Sequence, residues 1–233
     1  MPVGQGCGVS IGATGAVSGR MIDQQPHPLA NHHMLDPVVL IGPRVRLEPL
    51  SIAHVDALAG VGLAEELWRF TPRRLRSAAD IRGYVEAALQ GQADGTMLPF
   101  VIVVVSDGTV AGSTRYGNID LPNRRLEIGW TWLVPEVQRT GINHEVKYLL
   151  LRHAFEELGC VRVEFKTDAL NRKSRDALIG IGAVEEGTLR KHVQVEDGRV
   201  RDTVYYSIVD DEWPAVKQNL EESLVQRGAR VRS

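Results

Sequence analysis

The hydrophobic period of this chain changes at Gly141. Upstream, Phe100–Val105 is a continuous apolar run rich in β-branched residues, and Asp107-Gly108 is a hairpin-turn dipeptide. Thr109–Tyr116 and Leu126–Val134 read as further strands, with Pro122-Asn123 turning between them. Downstream, Ile142, Val146, Leu149, Leu150, Ala154 and Leu158 recur at helical spacing, and Gly159 marks a stop. A meander that hands over to a long helix with one apolar face buries both patterns when the helix lies across a single sheet.

The flanks fit that plan. Arg44–Glu48 reads as a short strand ended by Pro49, after which Ser51 caps a helix through Ala59. A second helix runs from a Ser77 cap to Gln90, with Ile81, Tyr84, Val85, Ala88 and Leu89 on one face and Gly91 as its stop. Beyond the long helix come a strand over Val161–Thr167 and a helix from an Asn171 cap to Gly182. Strands Thr188–Val195 and Thr203–Val209 follow, joined by Glu196-Asp197-Gly198-Arg199. Asp210 or Asp211 caps a last helix bearing Trp213, Val216, Leu220 and Leu224. The expected fold is α+β, with one mixed, mostly antiparallel sheet of about seven strands and helices on its faces.

The 233 residues divide into a leader over 1–35, a domain over 36–225 and a flexible tail over 226–233. Six glycines fall in the first 20 residues and Arg20 and Asp23 are the only formal charges before Met34, so the leader is expected to be disordered. Met21 and Met34 are alternative starts to Met1. No stretch approaches the ~18 apolar residues of a membrane span. A net charge of -2 argues against a broad basic face for DNA. Cys7 and Cys160 stand far apart, which favours a reducing, cytoplasmic setting. His54, His144, His153 and His192 lack metal-ligand spacing, so no metal is expected.

The chemistry concentrates around Gly141. Backbone N–H groups at a helix start, here from Thr140, Gly141, Ile142 and Asn143, suit an anion such as a pyrophosphate. Gly141 allows close approach, and Gln138, Arg139 and Thr140 offer side-chain donors. A plain strand-to-helix connection explains the same turn. Pro135 removes an N–H just past the strand, so the strand end is expected to splay and to free main-chain groups near Leu133 and Val134 for an extended ligand. Asn171 and Ser174 share one helix face, and Asn171 also reads simply as an N-cap.

Gln138-x-x-Gly141, preceded by Trp132-x-x-Pro135-Glu136 and followed by Asn171-x-x-Ser174 and Gly182-Ala183, resembles the GNAT superfamily of acyl-CoA-dependent N-acyltransferases, in its RimJ/RimL-type branch. The resemblance covers roughly residues 45–224. It implies a three-layer domain whose sheet opens into a V, with acetyl-CoA as acyl donor. Pantetheine would lie beside Leu133 and Val134, and the pyrophosphate on residues 138–143, aided by Asn171, Ser174 and Arg175. Two positions depart from the pattern. Asn143 replaces a customary Gly or Ala, and Leu178 stands where many members carry a tyrosine that protonates the departing thiolate.

The implied reaction is direct attack of an amine on the thioester. The Leu133 N–H is the candidate for polarising the carbonyl, and Glu127 the candidate base, with Glu136 and Asp168 behind it. A structural pairing of Glu127 with Arg115 or Arg125 is the equal alternative. Arg73 and Arg74, in a cluster with Arg69 and Arg76, and Trp130 are candidates on the acceptor side; a solvated loop and a cleft wall are the plainer readings. Arg172 and Lys173 join Arg175 as candidates for the nucleotide phosphates. The acceptor expected first is the α-amino group of a protein or peptide. A small amine, a succinyl-type donor, and a non-catalytic acyl-CoA-binding module are the alternatives. The last strands or the terminal helix offer a surface for a homodimer.

Overall fold

The computed structural model describes residues 36–231, so the leader expected over residues 1–35 lies outside the described residues. Strands β1 (Leu40–Ile41), β2 (Val45–Pro49), β3 (Leu98–Val104), β4 (Val110–Asp120), β5 (Arg125–Leu133), β6 (Arg162–Asp168), β7 (Val184–Gln194) and β8 (Val200–Val209) form one sheet. Their order is β1-β2-β3-β4-β5-β6-β8-β7, and every neighbouring pair is antiparallel except β5 and β6. Helices α1 (Val55–Val61) and α2 (Ala78–Ala93) cover one face; α3 (Ile142–Arg152), α4 (Arg172–Gly180) and α5 (Trp213–Val231) cover the other. Strand β4 shows the division. Arg115 stacks beneath Tyr84 of α2, whereas its neighbour Tyr116 donates to the Leu150 carbonyl of α3 at 2.6 Å. Fully buried Phe100, Tyr116, Ile128, Val163, Phe165 and Tyr206 form the middle of the core.

Several boundaries differ from the sequence expectation, each for a local reason. Helix α2 runs through Gly91 to Ala93, because Gly91 is buried against Met97 and its carbonyl accepts from Thr96 and Met97. The long helix keeps α geometry only to Arg152 and then widens into a π turn over His153–Glu157. Tyr116 is the cause: its hydroxyl takes the Leu150 carbonyl and lies 3.1 Å from His153 Nδ1, wedging the helical ladder open. Gly159, at φ +63°, then ends the element. Strand β1 was not foreseen, being two residues long. Helix α5 continues to Val231, past the residue 225 at which a tail was expected.

The feature that positions the site is a short parallel pairing. β5 and β6 are in register only at Arg125↔Arg162, Leu126↔Val163 and Glu127↔Glu164. Beyond Glu127 the two strands part, while β6 stays paired with β8 along its whole length. The opening was expected from Pro135 but begins at Ile128. The register between β4 and β5 slips between Ser113/Trp132 and Arg115/Gly129, and Trp130 sits in that bulge at φ +50°. A bulge bends its strand and increases its twist, which carries β5 away from β6.

Candidate active site

The first wall of the gap is the start of α3. Gly141 takes φ +92°, a left-handed conformation that a side chain would strain, and serves as the helix N-cap. Its carbonyl accepts from His144 and Glu145, which leaves the amides ahead of it pointing outward. Among the described residues, the N–H groups of Arg139, Thr140, Gly141 and Asn143 have no acceptor, and Ile142 N–H has only a long 3.5 Å contact with Thr140 Oγ1. These converge on the positive end of the helix dipole, an arrangement suited to a phosphate. Thr140 donates its hydroxyl to Val137 O at 2.6 Å, and Arg139 is exposed at φ +64°.

A clamp not visible in the sequence holds this turn. The buried Glu145 carboxylate accepts from Arg44 N (2.8 Å), Val45 N (3.1 Å) and Arg44 Nε (2.8 Å). Arg44 then reaches the Thr140 and Gly141 carbonyls with Nη1 and Nη2, at 3.0 and 3.2 Å. With those carbonyls tied behind the turn, the amides are left facing the solvent side.

Along β5, Val134 N donates to Ala111 O at 2.9 Å. Antiparallel alternation therefore turns the Leu133 N–H and C=O away from β4, toward the gap. The Leu133 carbonyl accepts from Gln138 Nε2 at 2.6 Å, so of the four groups expected to be free, the Val134 N–H and the Leu133 C=O are engaged. Gln138 also accepts from Lys173 of α4, tying the turn ahead of α3 to that helix. Asn171 caps α4 by accepting from Ser174 N at 3.1 Å. Arg175 is held by Tyr206, Ala169 and Glu185, whereas Arg172 projects outward.

Glu127 lies on the opposite face. Gly117, its partner on β4, shares a face with Arg115, and that face looks toward α2. Glu127 Oε2 accepts from Asn118 Nδ2 (2.5 Å) and pairs with Lys166 Nζ (2.8 Å), while Oε1 lies against Gly129. Burial lowers the Lys166 ammonium's affinity for its proton, but Glu127, with smaller help from Tyr205 and Glu164, raises it on balance. Neither alternative partner pairs with Glu127. Arg125 holds Asp120 and Glu164, and Arg115 is a buried guanidinium between Tyr84 and Trp130 whose Nε and Nη2 have no hydrogen-bond partner. Trp130 is 40% exposed, with its ring over Gly117. Asp168 is buried on Arg199 at 2.6 Å, and Glu136 is exposed. Of the arginine cluster, Arg74 holds Glu65 and Asp197, and Arg76 holds Glu196, tying the loop to the β7–β8 turn. Arg73 is exposed beside them.

Lys147, unremarked in the sequence, points from α3 into the gap. Its Nζ donates to Thr131 Oγ1 on β5 at 2.9 Å and lies 5.6 Å from the centre of the Phe165 ring on β6. Burial pulls its pKa down to about 7, against a smaller opposing effect of Glu127. Helical spacing could have located it: it falls one position after Val146 on a buried stretch, where an unpaired lysine is costly. Leu178, at the position of the tyrosine seen in many GNAT members, is buried. Among the described residues no helix is long and apolar enough to cross a membrane, and no group of three or more His, Cys, Asp or Glu is placed to hold a metal.

Comparison with known proteins bears on this geometry. A family model described as an acetyltransferase (GNAT) domain matches residues 44–184. The Bacillus subtilis protein YdaF, named a ribosomal N-acetyltransferase, is 38% identical over 111 residues, 48% of this chain and 60% of that protein. The chain thus spans about 60% of the length of that curated relative. Among solved structures, a T. thermophilus protein described as an acetyltransferase is 38% identical, with TM-score 0.73 over 81% of this chain and 97% of that one. RimJ of Mycobacterium smegmatis, solved with CoA-disulfide, is 25% identical, with TM-score 0.69 over 80% of this chain and 92% of that one. With more than half of its 233 residues matched, the chain belongs to the GNAT acetyltransferase family, and its likeness to YdaF and RimJ supports the RimJ/RimL-like branch.

Proposed function

We propose that this chain is an N-acetyltransferase that moves an acetyl group from acetyl-CoA to a primary amine, first of all the α-amino group of a protein or peptide. The observation that carries the reading is the gap between β5 and β6, which has unpartnered amides at the α3 start on one side and the free Leu133 N–H on the other. An anionic nucleotide fits that arrangement. Arg139–Asn143 would hold its pyrophosphate, with Gln138, Asn171, Ser174 and Arg175 as the second wall, and Leu133 and Val134 would flank the pantetheine. When bound, the thioester supplies the activated acyl group. The Leu133 N–H would polarise its carbonyl, and Glu127 would take the amine's proton, directly or through water, from the α2 face. Trp130 borders that face, and Arg73 on its exposed loop would meet the acceptor. The protein-amine preference is supported by the names of YdaF and RimJ, and a reducing cytoplasm suits a chain with a buried free Cys160.

The test is thiol release from acetyl-CoA with a panel of peptides and small amines, alongside calorimetry with CoA. The wild type is expected to bind CoA and to release thiol with at least one acceptor. Gly141→Ile is expected to lose CoA binding while keeping its far-ultraviolet circular dichroism. CoA binding retained in Gly141→Ile would refute the pyrophosphate placement, and binding without thiol release from any acceptor would favour a silent binding module.

A further inference from the structure

An ammonium lies in the floor of the gap between β5 and β6, on the α3 face. Lys147 is only 6% exposed, bridges Thr131 on one strand and Phe165 on the other, and bonds to no carboxylate. Glu127 is the one charged group that acts on it, and it does so through space from the opposite face of the sheet. Thr131 is in turn 2.7 Å from Thr114 Oγ1, so the hydroxyl that receives Nζ is itself fixed. Nothing in the packing needs a charge here. A methionine of similar length would fill the space without the desolvation cost. Any molecule threaded between the parted strands runs past Nζ, and Leu178 has no proton to offer at the tyrosine position.

We infer that Lys147 is the general acid of the transfer, delivering a proton from Nζ to the sulfur that leaves; this rests on the acyl-CoA reading above. The amine lone pair forms the new C–N bond, the C–S bond breaks, and its electron pair stays on sulfur. The proton from Nζ makes the thiol and leaves Lys147 neutral. The amine's surplus proton goes to Glu127, and a proton passing from Glu127 to Lys147 through solvent restores both groups. The two act from opposite faces of the sheet, so the base and the acid do not compete for one position. Burial also sets the strength of the acid. At about 7, Lys147 gives up its proton more readily than an alkyl thiol near 8.5, whereas a lysine at 10.5 would retain it.

The experiment titrates the thiol of bound CoA by its thiolate absorbance, in the wild type and in Lys147→Met, Lys147→Gln and Lys147→Arg, each first checked for fold by circular dichroism. The thiol titrates after Lys147 has lost its proton, so the Met and Gln variants are expected to match the wild type, while Arg, which stays charged, is expected to lower the bound thiol's pKa by about one unit or more. All three variants are expected to lose about 10²-fold in kcat with the KM for acetyl-CoA little changed, and to lose the fall in kcat above pH 7. Arg separates proton donation from mere charge, because it cannot give its proton up. An unchanged thiol titration in Lys147→Arg, a kcat that still falls above pH 7 in Lys147→Met, or a kcat within about threefold of wild type for all variants would overturn the assignment. Absence of CoA binding to the wild type would instead remove the acyl-CoA reading, and the assignment with it.

Discussion

Replacing Glu145 with alanine should be among the most damaging single changes near the site, and the structure says why. Its carboxylate serves three donors at 2.8–3.1 Å. Val45 is fully buried, so its N–H has no water to turn to when the carboxylate goes, at a cost of roughly 1–3 kcal/mol. The Arg44 side chain is 24% exposed and can rehydrate, so its lost ion pair adds only about 1 kcal/mol. The total, about 2–4 kcal/mol, overlaps the range seen when one partner of a buried pair is removed. Glu145→Gln keeps one acceptor oxygen for the two main-chain donors and should lose only about 1 kcal/mol. Urea unfolding followed by circular dichroism at neutral pH measures both. An alanine variant within 1 kcal/mol of wild type, or a glutamine variant as weak as the alanine, would refute the account of the clamp.

Glu127→Gln should lower kcat by about 10² to 10⁴ without abolishing it, measured by thiol release at saturating acetyl-CoA. Gly112→Ala places a Cβ 2.0 Å from the Trp132 carbonyl oxygen in the strand that carries the bulge, and with φ at +151° it should lose about 3 kcal/mol by thermal or urea unfolding. Lys147 makes stability depend on pH. Its folded pKa of about 7 lies below its usual 10.5, so between these values the unfolded chain binds the extra proton and stability rises with pH, by roughly 1.4 kcal/mol per pH unit. The clean window is pH 7 to about 8.5. His153, lowered by burial, titrates beneath it, and Cys160, pushed up to about 12 by burial, removes stability above pH 9. Lys147→Met should flatten the rise in that window; equal slopes in the two proteins would contradict the buried ammonium.

The parts legible in the sequence are those set by neighbours a few residues away. Gly141 announces its positive φ, Asn171 its cap, and Asp107-Gly108 its turn, because each is decided within one turn of chain. What escaped depends on partners far off. Gly91 reads as a stop on propensity alone, yet packing against Met97 outweighs the roughly 1 kcal/mol a glycine costs a helix. Trp130 carries no mark of its bulge, since large residues seldom take positive φ without tertiary support. Arg74 looks available until Asp197 and Glu65 are placed beside it. Lys147 looks like an ordinary surface lysine until β5 and β6 are placed around it.

The Arg44–Glu145 contact also bears on how the site comes into being. The turn at Gly141 looks local, but the residues that brace it are 101 positions apart. Closing a loop of that length costs on the order of 4 kcal/mol in chain entropy before any contact repays it. A growing chain has already released Arg44 when Glu145 emerges, and must hold β2 in wait for α3. The anion turn is therefore braced only once β2 has docked against α3, so a local-looking turn depends on a contact of high sequence separation.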